Sequence, residues 1–149
     1  MKKLLLLAII AIVIVTGCDN KQEKIYLDKN YYGSNEYVPV TKENIEANRG
    51  NYLLFVYNNA CSFGVPCEDI FKEFMKQENI AILSIPFTEY KDTYLIEEVK
   101  YAPTIIIVNN KKVIEYLDAS EDEDLNRYQD VNEFKKWVEK YIYLEEKTS

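Results

Sequence analysis

Histidine is absent from all 149 residues. That gap removes Ser-His-Asp and Cys-His activation of nucleophiles and every imidazole metal site, leaving carboxylate, lysine, tyrosine and cysteine chemistry. Glycine and proline are scarce, four of each, while 48% of residues are hydrophobic and 29% charged, which excludes a collagenous or disordered chain. A chain of this length buries one core and is short for two domains. Cysteine is also rare. Cys18, Cys61 and Cys67 are the full set, and the functional reading turns on them.

One long apolar run exists, the twelve residues from Leu4 to Val15, preceded by Lys2 and Lys3 and followed by Thr16, Gly17 and Cys18. As a helix it spans about 18 Å against a hydrocarbon core of about 30 Å, which suits a signal-peptide core better than a permanent anchor. The Val15-Thr16-Gly17-Cys18 string resembles the bacterial lipoprotein cleavage box. The resemblance implies a signal peptide over residues 1–17 and a diacylglyceryl-modified Cys18 as the first mature residue. The mature protein would then be lipid-anchored on the extracytoplasmic side of the cell membrane. Acylation also settles cysteine parity, leaving Cys61 and Cys67 as an even pair in an oxidising compartment.

Loss of Lys2 and Lys3 takes the formal charge from −7 to −9. Such a domain is repelled by phosphate backbones, so nucleic acid is not an expected partner, and membrane contact is expected through lipid on Cys18. Residues 18–37 are polar and aperiodic and read as a lipidated tether. Their tyrosines, Tyr26, Tyr31, Tyr32 and Tyr37, read as solvated or folded back, with docking on a partner as the other possibility. Residues 38–149 read as the domain. The acidic stretch from Glu121 to Asp124 could suggest calcium, but a loop counted from Asp118 has no glycine at position six and no acid at position twelve. It reads as a solvated loop.

Thr41 is a natural N-cap for a short helix that stops at Asn48-Arg49-Gly50. Residues 52–57, YLLFVY, have the continuous apolar character of a strand covered on both faces. A loop holding Cys61 and Gly64 leads to Pro66, well placed in a first helical turn. Ile70, Phe71, Phe74 and Met75 follow at helical spacing, predicting a helix over 66–77. A second buried strand over 79–86, a short helix over 92–100, a strand over 104–108, a turn at Asn109-Asn110 and an antiparallel return over 113–117 come next. Asp130 and Glu133 open a long helix whose inward face includes Phe134, Trp137, Val138, Tyr141 and Ile142.

Parallel strands joined by a helix require a right-handed crossover, and the hairpin adds an antiparallel edge, giving an α/β/α three-layer sandwich with a mixed sheet. With Cys61 in the strand-to-helix loop, Pro66-Cys67 at the helix start and Ala102-Pro103-Thr104 before the hairpin, the chain resembles thioredoxin-like proteins. The resemblance covers roughly residues 41–143. It implies that Pro103 is a cis proline facing the cysteine pair, that Ala102 and Pro103 line a groove where an extended client adds as a strand, and that the cysteines exchange with protein thiols or disulfides. No cofactor or metal is implied, and the redox partner is left unnamed.

Two departures qualify the resemblance. The family's redox centre is Cys-x-x-Cys, whereas five residues separate Cys61 from Cys67 here. Gly64 gives the loop freedom to bring the two α-carbons within reach of a disulfide, and a ring of that size contributes roughly 2 kcal/mol, compatible with a structural clip or a redox pair. Furthermore, the strand before the loop, with Leu53, Leu54, Phe55 and Val56, lacks the buried acid that takes the resolving thiol's proton in thioredoxins. Glu68 or a water would have to serve. Cys61, on the loop, is expected to be the attacking thiol and Cys67, on the apolar helix face, the shielded resolving one. The alternative is a non-catalytic binding or accessory lipoprotein in which a Cys61–Cys67 disulfide is purely structural.

Overall fold

The computed structural model describes residues 23–58 and 66–148. Strand β1 (Ile25–Tyr26) is followed by a 3-10 turn, Lys29–Tyr31, then β2 (Tyr37–Pro39) and α1 (Lys42–Ala47). Thr41 caps α1 in a reciprocal box: its hydroxyl accepts from the Asn44 amide and its own amide donates to Asn44 Oδ1 at 2.9 Å. Strand β3 (Asn51–Tyr57) leads to α2 (Cys67–Glu78), which ends on Asn79 in a left-handed conformation, φ 55°. Next come β4 (Ile82–Pro86), the single turn α3 (Phe87–Tyr90), a 3-10 turn at Tyr94–Glu97, and the hairpin of β5 (Thr104–Asn109) and β6 (Lys112–Tyr116). Helices α4 (Asp122–Gln129) and α5 (Val131–Val138) and strand β7 (Ile142–Tyr143) complete the chain.

The main sheet has the order β2-β4-β3-β5-β6, with β2, β4 and β3 parallel and β5 and β6 antiparallel. It is the expected mixed sheet with flanking helices. Side chains alternate across β3. Phe55 points to the α2 face, where its ring meets Phe71 at 5.1 Å, and Phe71 and Phe74 pack on Phe134 of α5 at 4.6 and 4.9 Å. Tyr52, with the opposite parity, lies on the face carrying α1, where Ile45 is also fully buried. Burial on both faces explains why β3 and β5 read as uninterrupted apolar runs.

The structure corrects five boundaries. Residues 25–37, expected as tether, are instead packed on the domain: β1 pairs in parallel with β7, Leu27 and Tyr31 are buried, and Asp28 Oδ1 accepts from the Asn51 amide at 3.0 Å. The C-terminal helix stops at Val138, and Ile142 is buried by the β1–β7 pairing and not by continued helix. The acidic segment opens α4, where carboxylates in the first turn complement the helix N-terminus; Asp124 is buried, accepts from the Asp118 amide at 2.7 Å and pairs with Arg127. In place of the helix expected over 92–100 there is only the 3-10 turn Tyr94–Glu97, with the single turn α3 before it at Phe87–Tyr90, and a Tyr90 hydroxyl that donates to the Val99 carbonyl at 2.8 Å pins the segment. The hairpin turn lies one residue later than expected, with Asn110 and Lys111 both at positive φ, 45° and 66°, the geometry a two-residue hairpin connection requires.

Candidate functional site

At the end where β3 finishes, three segments converge: the start of α2, the Ala102–Pro103 peptide before β5, and the C-terminal part of α4. Cys67 is the first residue of α2 and is 1% exposed. Helical periodicity puts it on the same inward stripe as Phe71 and Phe74, which accounts for the shielding. The Ala102–Pro103 bond is cis. Asn58, one residue beyond β3, donates from Nδ2 to the Ala102 carbonyl at 2.7 Å and so ties this peptide to the end of that strand.

Behind the proline lies a buried polar clamp. The Tyr128 hydroxyl reaches the Leu117 carbonyl at 2.7 Å and the Pro103 carbonyl at 3.3 Å, and the Thr104 hydroxyl donates to the same Leu117 carbonyl at 2.7 Å. Tyr128, Thr104 and Leu117 are all fully buried. Burial pushes the Tyr128 phenol well up, and the charge that Cys67 would carry as a thiolate pushes it further. Tyr37, whose hydroxyl donates to the Glu68 carbonyl at 3.1 Å, is raised by burial first, then by Glu68 and Cys67. Both phenols are therefore protonated at neutral pH and serve as hydrogen-bond donors. Tyr37, Phe55, Tyr57, Glu68 and Ser84 line a cavity of about 310 Å³ on the α2 side.

Acid–base capacity around the thiol is limited. Leu53, Leu54, Phe55 and Val56 fill the strand interior with apolar side chains. Glu68, considered as an acceptor of the thiol proton, is half-exposed and ion-paired with Lys72 at 2.8 Å, so its carboxylate is engaged at the surface. Among the described residues no cluster of cysteine, aspartate and glutamate is arranged to hold a metal, and no helix is long and apolar enough to cross a membrane.

Of the residues singled out in the sequence, the structure brings Cys67, Ala102 and Pro103 to one end of the sheet. Cys61 and Cys18 lie outside the described residues. Sequence reasoning missed Asn58, Thr104 and Tyr128. Thr104 belongs to the Ala102-Pro103-Thr104 string, which by itself assigns it no role; Tyr128 is 61 positions beyond Cys67, after the acidic stretch, and no local pattern points to it.

No protein-family model matches the chain, and no curated protein sequence does. Solved structures do match. The thioredoxin of Schistosoma mansoni superposes with a TM-score of 0.50 at 14% identity, over 74% of this chain and 100% of its own. Oxidised Plasmodium falciparum thioredoxin gives 0.44 at 16% identity, over 69% of this chain and 97% of its own. Spinach chloroplast thioredoxin f gives 0.44 at 17%, over 72% and 95%. At such identities likeness concerns the fold alone, and with its strand order, the cysteine at the start of α2 and the cis proline before β5, the polypeptide adopts a thioredoxin-like fold.

Proposed function

We propose that this protein is a thiol–disulfide oxidoreductase held on the extracytoplasmic side of a cell membrane by lipid on Cys18, and that it acts on protein thiols through Cys61 and Cys67. The observation that carries the reading is the placement of Cys67: a buried thiol at a helix N-terminus, at the same end of the sheet as a cis Ala102–Pro103 peptide. Helix N-terminal amides favour a thiolate there.

In the proposed exchange the Cys61 thiolate attacks one sulfur of a client disulfide, forming a Cys61–client mixed disulfide and releasing the client's other sulfur as thiolate. The Cys67 thiolate then attacks Cys61, closing the Cys61–Cys67 bond and expelling the second client thiolate. Two electrons pass from the pair to the client. Run backwards, the same steps oxidise a client dithiol. A client strand laid beside Pro103 would pair with the Ala102 backbone, which the Asn58 bond holds in place.

A second reading is favoured by the scarcity of proton acceptors. With Glu68 engaged by Lys72 and both nearby phenols protonated, a domain whose Cys61–Cys67 bridge serves only as a clip and whose surface binds partners is also consistent. Trapping separates the two. Exchange predicts that Cys67→Ser accumulates covalent client adducts on Cys61, that Cys61→Ser accumulates few, and that a glutathione or dithiothreitol buffer reduces the pair in the folded protein. A bridge that resists strong reductant, with no adducts on either variant, leaves the binding module.

A further inference from the structure

The end of the sheet opposite Cys67 carries an exposed aromatic pair that the exchange reading does not use. Tyr26 and Tyr143 are 36% and 40% exposed, and their rings stack at 4.4 Å across the β1–β7 pairing. Lys24 sits 5.6 Å from the Tyr143 ring and Lys147 6.0 Å from the Tyr26 ring. Glu23, the first described residue, lines the same hollow as Tyr26, Asn51, Asn109, Tyr143 and Lys147. Asn51 and Asn109 bound this end: Asn51 opens β3 and Asn109 closes β5, whereas Tyr57 and Thr104 mark their other ends, beside Asn58 and Pro103. Six strand steps of about 3.3 Å put roughly 20 Å between the two ends.

We infer that the Tyr26–Tyr143 pair is a membrane-docking face that rests the domain on the bilayer interface and turns the Cys67–Pro103 end away from it. The inference rests on Cys18 being the lipid-bearing residue. Five peptide steps separate Cys18 from Glu23, and at no more than about 3.6 Å each they hold Glu23 within roughly 18 Å of the anchor. Tyr26 and Tyr143, beside Glu23, are therefore kept close to the headgroups whatever path those residues take. Tethering of this kind raises the effective concentration of surface at the patch, so that a small intrinsic affinity suffices. Tyrosine rings suit the level of the headgroups, with the ring body apolar and the hydroxyl wet, and lysine stems extend along apolar surface with the ammonium in water.

Charge does not drive this docking. Glu23, Glu145 and Glu146 surround the two lysines, and Glu146 is itself paired with Lys29 at 3.1 Å. The contact is carried by the rings, and it holds on zwitterionic lipid and at raised salt, where a polybasic patch would lose its grip. Its functional consequence is orientation: the exchange site faces soluble clients, about one strand length above the surface.

The chain from Cys18 onward, which contains every described element, is prepared with Cys61→Ser and coupled through Cys18 to a maleimide headgroup lipid in phosphatidylcholine vesicles. Hydrogen–deuterium exchange is compared with the same protein coupled to a soluble maleimide. The expected result is at least threefold slower exchange on vesicles over residues 24–27 and 141–147, none at Asn58 or residues 101–104, and little change with added salt or phosphatidylglycerol. Tyr26→Ser with Tyr143→Ser abolishes the protection; both sites are exposed, so the pair of substitutions leaves the fold intact by circular dichroism. Equal exchange in the two preparations, protection at the Cys67 end, protection that survives the double substitution, or a soluble dimer that Tyr26→Ser breaks would each overturn the inference. Chemical coupling keeps the test separate from native lipidation, which is read from the mass of the Cys18 peptide taken from membranes of the producing cell.

Discussion

The clamp behind Pro103 makes a quantitative prediction because one buried carbonyl is served by two hydroxyls. Leu117 O accepts from Tyr128 and from Thr104, both at 2.7 Å, in a fully buried setting. Tyr128→Phe removes one donor and a long contact to the Pro103 carbonyl at 3.3 Å, but leaves Leu117 paired with Thr104; Thr104→Val does the converse. Each single change then loses the net worth of one hydrogen bond, about 1 kcal/mol. The double variant strips both hydroxyl donors from the carbonyl and adds the desolvation cost of an unserved buried acceptor, roughly 1–3 kcal/mol beyond the sum of the singles. Urea titration followed by the fluorescence of Trp137, the only tryptophan and itself buried, measures all four corners of the cycle, with an unchanged slope confirming that the unfolded state is the same. Additivity within about 0.5 kcal/mol would refute the reasoning, since it would mean that the two hydroxyls do not share one acceptor.

Three further outcomes are expected. At Gly50 a β-carbon would overlap the Asp28 carboxylate, whose Oδ1 holds the Asn51 amide; Gly50→Ala should cost about 1–2 kcal/mol in a urea titration, and little more than Asp28→Ala when the two are combined. Asp130 Oδ1 accepts from the Asn132 and Glu133 amides at 2.8 and 3.1 Å, so Asp130→Ala should lower stability by about 1 kcal/mol with a matching fall in melting temperature. In alkali the phenols set the limit. Burial raises Tyr52, Tyr90 and Tyr128, and burial with the Glu115 hydrogen bond lifts Tyr141 to about 12. Their folded state holds protons that the unfolded chain releases near pH 10, so this stabilisation is complete below pH 10 and is lost as pH rises toward 12 and beyond. Phenolate absorbance of these groups should appear together with loss of far-ultraviolet dichroism; their ionisation in a still-folded protein would contradict the burial argument.

Local chemistry was enough for much of the fold. The YLLFVY run, the Thr41 and Asp130 caps, the 3.6-residue spacing of Phe71, Phe74 and Met75, and the paired turn residues before β6 each leave a signature within a few positions, because capping and amphipathicity are short-range effects. Cys67 as a shielded thiol at a helix start was legible in the same way. Where the reading failed, the determinant was distant. Tyr141 and Ile142 fit a helical stripe, yet Ile142 pairs with Ile25, 117 residues away, and no window of sequence contains both.

By itself, then, the sequence determined the alternation of strand and helix, the apolar faces, the absence of imidazole chemistry and Cys67 as a shielded residue at a helix start, all properties of neighbours along the chain. Only the tertiary structure decided that residues 25–37 belong to the domain, that Asn58 and Tyr128 hold the Ala102–Pro103–Thr104 segment from two sides, and that Tyr26 lies at the opposite end of the sheet from Cys67. Those relations depend on which strands share a ladder and which side chains meet in the interior. They are fixed by burying surface from remote segments together, and a hydroxyl's partner exists only once that burial is complete.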